Sequence, residues 1–245
     1  MTTVRWATSL TFCWLLVAGT VRADETYDQA RALLEQDTLQ SIEASLPLFD
    51  RAVQTDPKDY EVLWRAAKAH RQFADVSKEQ EAKGWKERSA KHGKIAMQLG
   101  QRAIDVEPKR VEGHFWFGCA VGTYADGVSI ITALREGLKD KTQNAFEKSY
   151  AIDKQYNEAG PVLALGRFWS ALPWPLKDNK KALTYLFEFQ KYYPNNAEGQ
   201  LYLGEVLADE GGADNKAKAR AVLEKAAAGR EPYYRNRAKE ILASL

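Results

Sequence analysis

Apolar residues return every third or fourth position along nearly the whole chain, the period of helices with one buried face. Tyr27 to Glu35 carries Ala30, Leu33 and Leu34 on one side. Leu39 to Val53 follows with Ile42, Leu46, Phe49 and Val53; Pro47 falls inside it, so this stretch is kinked or split in two. Glu61 to Phe73 shows Leu63, Ala66, Ala67, His70 and Phe73 on its inner stripe. Ala74 to Lys94 is highly charged and reads as a loop running into a long exposed helix that becomes Ile95 to Val106. Val111 to Tyr124 is the most apolar helix, and Asp126-Gly127 is expected to break it. Val128, Ile131, Leu134 and Leu138 keep helical spacing, and Lys139 to Ile152 closes that pair. Glu158 to Ala171 and Asn179 to Tyr193 flank the turn Leu172-Pro-Trp-Pro175. Ala197 to Asp209 and Lys216 to Ala228 flank Gly211-Gly212. Tyr234, Ala238, Ile241, Leu242 and Leu245 end the chain as an amphipathic cap. No pair of alternating strands occurs.

One junction recurs between these helices. Its markers are Pro57, Pro108, Tyr156, Pro194 and Pro232, separated by 51, 48, 38 and 38 residues. Ten positions after the first four stand Ala67, Gly118, Gly166 and Gly204. Five positions before the markers stand Ala52, Ala103, Ala151, Phe189 and Ala227. A small residue lets one helix lie close against its neighbour, and proline ends the helix before the turn. This is tetratricopeptide logic, whose period is about 34 residues. The surplus in the first two intervals is expected at Ala74 to Gly93 and Thr123 to Lys141. The expected fold is therefore all-α: an irregular tetratricopeptide-like stack of helix pairs (an α-solenoid) with a C-terminal capping helix. A generic helical bundle with coincidental prolines is the alternative.

Composition changes the picture mainly at the N-terminus. Arg5 precedes a short apolar run, Leu10, Phe12 and Trp14 to Ala18, and Val21-Arg22-Ala23 suits a signal peptidase. Residues 1–23 are expected to be a signal peptide cleaved before Asp24, leaving residues 24–245 as one helical-repeat domain and placing the protein in the periplasm. The run is short for a membrane span, which takes about 20 residues; an uncleaved anchor is the alternative. Cys13 lies inside the apolar run with Trp14 to Val17 still to follow, so lipidation is not expected. Without the leader 33 basic residues face 33 acidic ones, so no charge surplus points to nucleic acid or to a membrane surface. Cys119 alone then remains, which excludes an intramolecular disulfide.

Motifs for catalysis, metals or cofactors are not found. His70, His92 and His114 lack a second ligand at motif spacing, and the glycines around Gly118 lack a phosphate-loop lysine. Aromatic residues are the richer signal. Phe115-Trp116-Phe117 cannot point all its rings one way; Phe117 takes the packing position, while Trp116 and Tyr124 are open to a partner or a ligand. Trp174 sits in a rigid proline turn, where it either folds back on its own helix pair or meets a partner.

Several segments resemble the T-component (TatT-like) proteins of TRAP transporters. They are His114-Phe-Trp-Phe-Gly118 continuing to Tyr124, Ile131 to Leu138, Ala145 to Asp153, Gly166-Arg-Phe-Trp169, Leu172-Pro173 and Tyr193-Pro194-Asn195, with Leu63-Trp64-Arg65-Ala66-Ala67 upstream. The resemblance implies an exported, non-enzymatic accessory subunit that associates with a periplasmic solute-binding protein. It also implies oligomers with a cavity and a small bound ligand. Arg135 and Arg167 are then candidates to meet an anionic group, beside Trp64 and Trp169 in the matching segments. The alternatives are a general helical-repeat adaptor for other proteins and a groove that binds a small ligand.

Overall fold

The computed structural model describes residues 23–245. The expected leader lies outside these residues except for Ala23. Among the described residues the chain forms twelve α-helices and no strand. They are α1 (Ala23–Leu34), α2 (Leu39–Thr55), α3 (Tyr60–Glu79), α4 (Trp85–Val106), α5 (Val111–Val128), α6 (Ile130–Arg135), α7 (Leu138–Asp153), α8 (Tyr156–Ala171), α9 (Asn179–Tyr192), α10 (Ala197–Glu210), α11 (Ala213–Ala227) and α12 (Pro232–Ser244). Each pair packs on the next, as a tetratricopeptide-like solenoid requires.

The junctions are built by side chains that satisfy free helix-end N–H groups. Asp59 accepts from Val62 N at 3.1 Å, and Asn196 from Gly199 N at 2.8 Å. Asp178 does the same for Lys181 N at 2.9 Å. Thr38 and Ser41 cap each other at the start of α2. Pro232 opens α12, where its missing N–H costs nothing.

The repeated small residues now have partners. A Cβ on Gly118 would lie 2.4 Å from the Phe146 ring of α7. On Gly166 it would lie 2.7 Å from Leu186 Cγ of α9, and on Gly204 2.4 Å from Leu223 Cγ of α11. At each of these junctions the second helix drives one large side chain onto the bare backbone of the first. Phe146, Leu186 and Leu223 are buried there.

Three details depart from the sequence expectation. The loop expected after Ala74 shrinks to residues 80–84: α3 runs on to Glu79 and the long helix α4 already starts at Trp85, giving helices of 20 and 22 residues. The first surplus of length therefore lies in longer helices. Likewise, Asp126-Gly127 does not break α5. A Cβ on Gly127 would lie 2.2 Å from Ala90 N, so the glycine admits the α4 backbone, and the helix ends at Ser129, whose φ is 123°. Pro47 does not split α2 either; it sits on the exposed side, and Glu43, whose carbonyl it frees, is exposed as well.

Candidate binding groove

The first helices of successive pairs touch in turn: α3 with α5, α5 with α8, α8 with α10, and α10 with α12. Together with α6 and α7 they enclose one groove of about 1090 Å³. That volume lies at the upper edge of pockets that hold small molecules, usually about 300–1,000 Å³.

Small residues open its floor. Cys119 and Gly122 on α5 face Ala164 and Ala171 on α8. A Cβ placed on Gly122 would meet nothing within 4 Å. The walls are polar. On α3, Arg71, Asp75 and Glu79 follow at four-residue spacing, which puts them on one helix face. Glu198, Tyr202 and Glu205 share a face of α10 at spacings of four and three, and Tyr234 and Arg237 a face of α12 at a spacing of three.

These groups hold one another in a network. Arg71 Nε lies 2.6 Å from Asp75 Oδ2, a charge contact whose N–H is not aimed at the oxygen. Thr123 Oγ1 donates to Asp75 Oδ1 at 2.8 Å. Lys78 pairs with Asp126 at 2.6 Å, and Arg167 with Glu205 at 2.8 Å. Arg167 also lies over the Tyr202 ring, 4.5 Å from its centre. The Tyr202 hydroxyl donates to Glu198 at 2.8 Å, and that of Tyr234 to Glu79 at 3.4 Å.

The groove shifts its titrating groups. Burial, with the Asp75 charge behind it, pushes Glu79 up to about 7. Burial also raises Glu198, against the hydrogen bond from Tyr202. The Cys119 thiol is pushed up to about 12 by burial, so it stays protonated and is a poor nucleophile at neutral pH. Arg71 remains charged: burial opposes the charge, but the acidic groups around it, Asp75 first and Glu198 among the others, together more than offset that.

Of the candidates named from sequence, only Arg167 lines this groove. Trp64 is buried and donates to Glu61 at 3.1 Å, with Arg65 stacked 4.0 Å from its ring. Trp116 is buried and donates to the Tyr156 hydroxyl at 2.9 Å. The Tyr124 ring is buried too, and its hydroxyl donates to Glu136 at 2.9 Å. Trp169 is buried under the Lys181 ammonium. Arg135 is exposed and stands outside the groove. Trp174 is 88% exposed on its proline turn. The wall carboxylates and tyrosines were missed because each reads as an ordinary solvated helix position. The available signal was polar residues four apart on helices whose other faces are already apolar.

A second polar cluster lies away from the groove. His70 Nδ1 and His92 Nδ1 are 2.9 Å apart, and His70 Nε2 is 3.1 Å from Asp50 Oδ1. His70 is buried, and burial beside it pushes His92 down to about 4. Among the described residues, no group of three or more His, Cys, Asp or Glu side chains is placed to hold a metal ion. Among them, too, no helix is long and apolar enough to cross a membrane.

Known proteins agree with this architecture. A family model described as Regulator of microtubule dynamics protein 1-3 matches residues 26–170. Regulator of microtubule dynamics protein 1 of Pongo abelii is 24% identical over 202 residues, covering 74% of this chain. The chain spans 58% of that relative's length. TTC0263, a thermophilic TPR protein of Thermus thermophilus, superposes with a TM-score of 0.60 at 17% identity, covering 89% of this chain and 97% of its own. MamA superposes at 0.50 and 13% identity, covering 84% and 93%. Both structures speak for the fold alone. The matches correct the resemblance to TRAP transporter T-components. His114 to Gly118 and Gly166 to Trp169, which carried it, are junction features that any helical repeat of this kind needs. The expectation of a solute-binding protein as partner rested on that resemblance alone.

Proposed function

The chain belongs to the Regulator of microtubule dynamics protein 1-3 family, and from that premise we propose that it is a non-enzymatic interaction module whose groove holds a segment of a partner polypeptide. The observation that supports this most is the open floor at Gly122, where the inner helices leave room for about 1090 Å³ of ligand. The network around Arg71, Glu198 and Tyr202 offers charged and hydrogen-bonding groups along the length of a bound chain. Helical-repeat proteins commonly use such concave surfaces for binding.

The test is a selection of random 12-residue peptides on the full chain, followed by affinity measurements on Gly122→Trp. The indole is attached where a Cβ meets nothing within 4 Å, and far-UV circular dichroism checks that the variant stays folded. Peptides that bind the wild type and lose at least tenfold in affinity to Gly122→Trp support the groove. Peptides that bind both equally, or a selection that yields none, would overturn it. A partner brought to microtubules through this groove is the reading that the relative's name suggests; its test is whether the purified chain alters microtubule growth, and whether Gly122→Trp abolishes the effect.

A further inference from the structure

We propose that the groove selects a basic segment, seating a lysine or arginine side chain against Glu79 and Glu198. The inference rests on the groove being the binding surface and adds the chemistry of what it takes. It stands on the cavity and on the balance of charge within its walls. The cations of the walls are already engaged: Arg71 with Asp75, Lys78 with Asp126, Arg167 with Glu205, and Arg237 with Glu240 at 2.9 Å and Glu205 at 3.5 Å. Lys139 turns to Asp140, outside the groove. Glu79 and Glu198 have no such cation. Each is met only by a tyrosine hydroxyl, from Tyr234 and Tyr202.

Each carboxylate borders the groove with a tyrosine hydroxyl as its hydrogen-bond partner, and the cation whose charge reaches both, Arg71, is already paired with Asp75. An incoming ammonium or guanidinium would supply an ion-pair partner through charge-assisted hydrogen bonds. The Tyr202 and Tyr234 rings border the same space, and rings of this kind accept cations on their faces; Arg167 already uses one face of Tyr202 in this way. An acidic segment would meet the opposite situation, because it would bring further negative charge to two carboxylates that have no ion-pair partner of their own. The chain as a whole is near charge balance, so general attraction would not account for a preference between basic and acidic segments.

Binding of this kind depends on pH. The groups that face Glu79 are Arg71 and Asp75 on its own helix, Glu198 on α10 and Tyr234 on α12. Glu79 must lose its proton to take a cation, so affinity for a basic segment rises from pH 6 to pH 8 and the complex releases protons on forming.

The experiment uses the full chain and fluorescein-labelled octalysine, octaglutamate and a Gly-Ser octapeptide, read by fluorescence anisotropy. The expected result is octalysine as the tightest of the three, bound at least tenfold more weakly by Glu79→Gln/Glu198→Gln. Glu43→Gln, on the exposed face of α2, should bind like the wild type. The double variant keeps the shape of both side chains and an oxygen acceptor for each tyrosine hydroxyl, so it should stay folded; far-UV circular dichroism and its melting temperature check this. Octaglutamate binding as tightly as octalysine would overturn the proposal, as would a folded double variant that binds octalysine like the wild type. Selected peptides that are lost on Gly122→Trp but carry no basic residue would overturn this inference alone and leave the groove as the binding surface.

Discussion

The Tyr234 hydroxyl donates to Glu79 Oε1 at 3.4 Å, across 155 positions of sequence. It joins the capping helix α12 to α3, so the stack has curved far enough for its last helix to face its second pair. The bond is exposed, and α12 otherwise packs on α10 and α11. Tyr234→Phe keeps the ring and removes the donor. The expected cost is small, about 1 kcal/mol or less, with faster amide hydrogen exchange across residues 232–244. Unchanged exchange there would show that the contact does not hold α12.

Two glycines of the inner helices should respond oppositely to alanine. At Gly204 the new methyl meets Leu223, so Gly204→Ala is expected to cost about 1–3 kcal/mol. At Gly122 it meets nothing, so Gly122→Ala is expected to stabilise the chain by about 0.5–1 kcal/mol through helix propensity. Urea denaturation of the two variants decides, and a loss at Gly122 would contradict the open floor.

The His70–His92 pair gives a pH signature. His92 is held down to about 4 in the fold, below its ordinary 6.5. Between those values the unfolded chain binds more protons than the folded one, so this contribution is complete above pH 6.5 and is lost as pH falls toward 4. Glu79 acts in the opposite sense, because its raised value makes the fold bind the extra proton between its ordinary 4.5 and about 7. The total curve mixes the two, so the difference between His92→Gln and the wild type is the quantity to read. On going from pH 7 to pH 5 the wild type should lose stability, read as its unfolding midpoint, relative to the variant, whichever way the variant itself moves. An equal drop in both would remove His92 as the cause.

The leader pattern of residues 1–23 makes a prediction about location. The α1 helix begins at Ala23, so cleavage before Asp24 takes only its first residue and spares the packed stack. N-terminal sequencing of the protein from its native cells is expected to begin at Asp24. A chain that keeps Met1 or begins at Thr2 would contradict cleavage of a leader there.

The architecture was legible because its rules are local. Pro57, Pro108 and Pro194 mark turns by their own geometry, and Gly118, Gly166 and Gly204 show as small residues at one offset. The groove was not legible, because it is made by curvature. Arg71, Glu198 and Tyr234 stand on three helices far apart in sequence, and nothing near any of them marks it as more than a helix-face residue. The aromatic signal misled for a related reason. Trp116 and Tyr124 lie on the most apolar helix, which packs against α3, α4, α7 and α8. That packing takes up their rings, while Cys119 and Gly122, lying between them in sequence, are the residues that face the open space.

The groove as binding surface is tested most directly by a photo-crosslinker set into its floor. A benzophenone amino acid at Gly122 is compared with one at Arg51, which is exposed on α2 outside the groove. The probe is a peptide selected on the wild-type chain. Crosslinking to the peptide is expected from position 122 and not from position 51. Equal crosslinking from both, or crosslinking from position 51 alone, would contradict the groove as the binding surface.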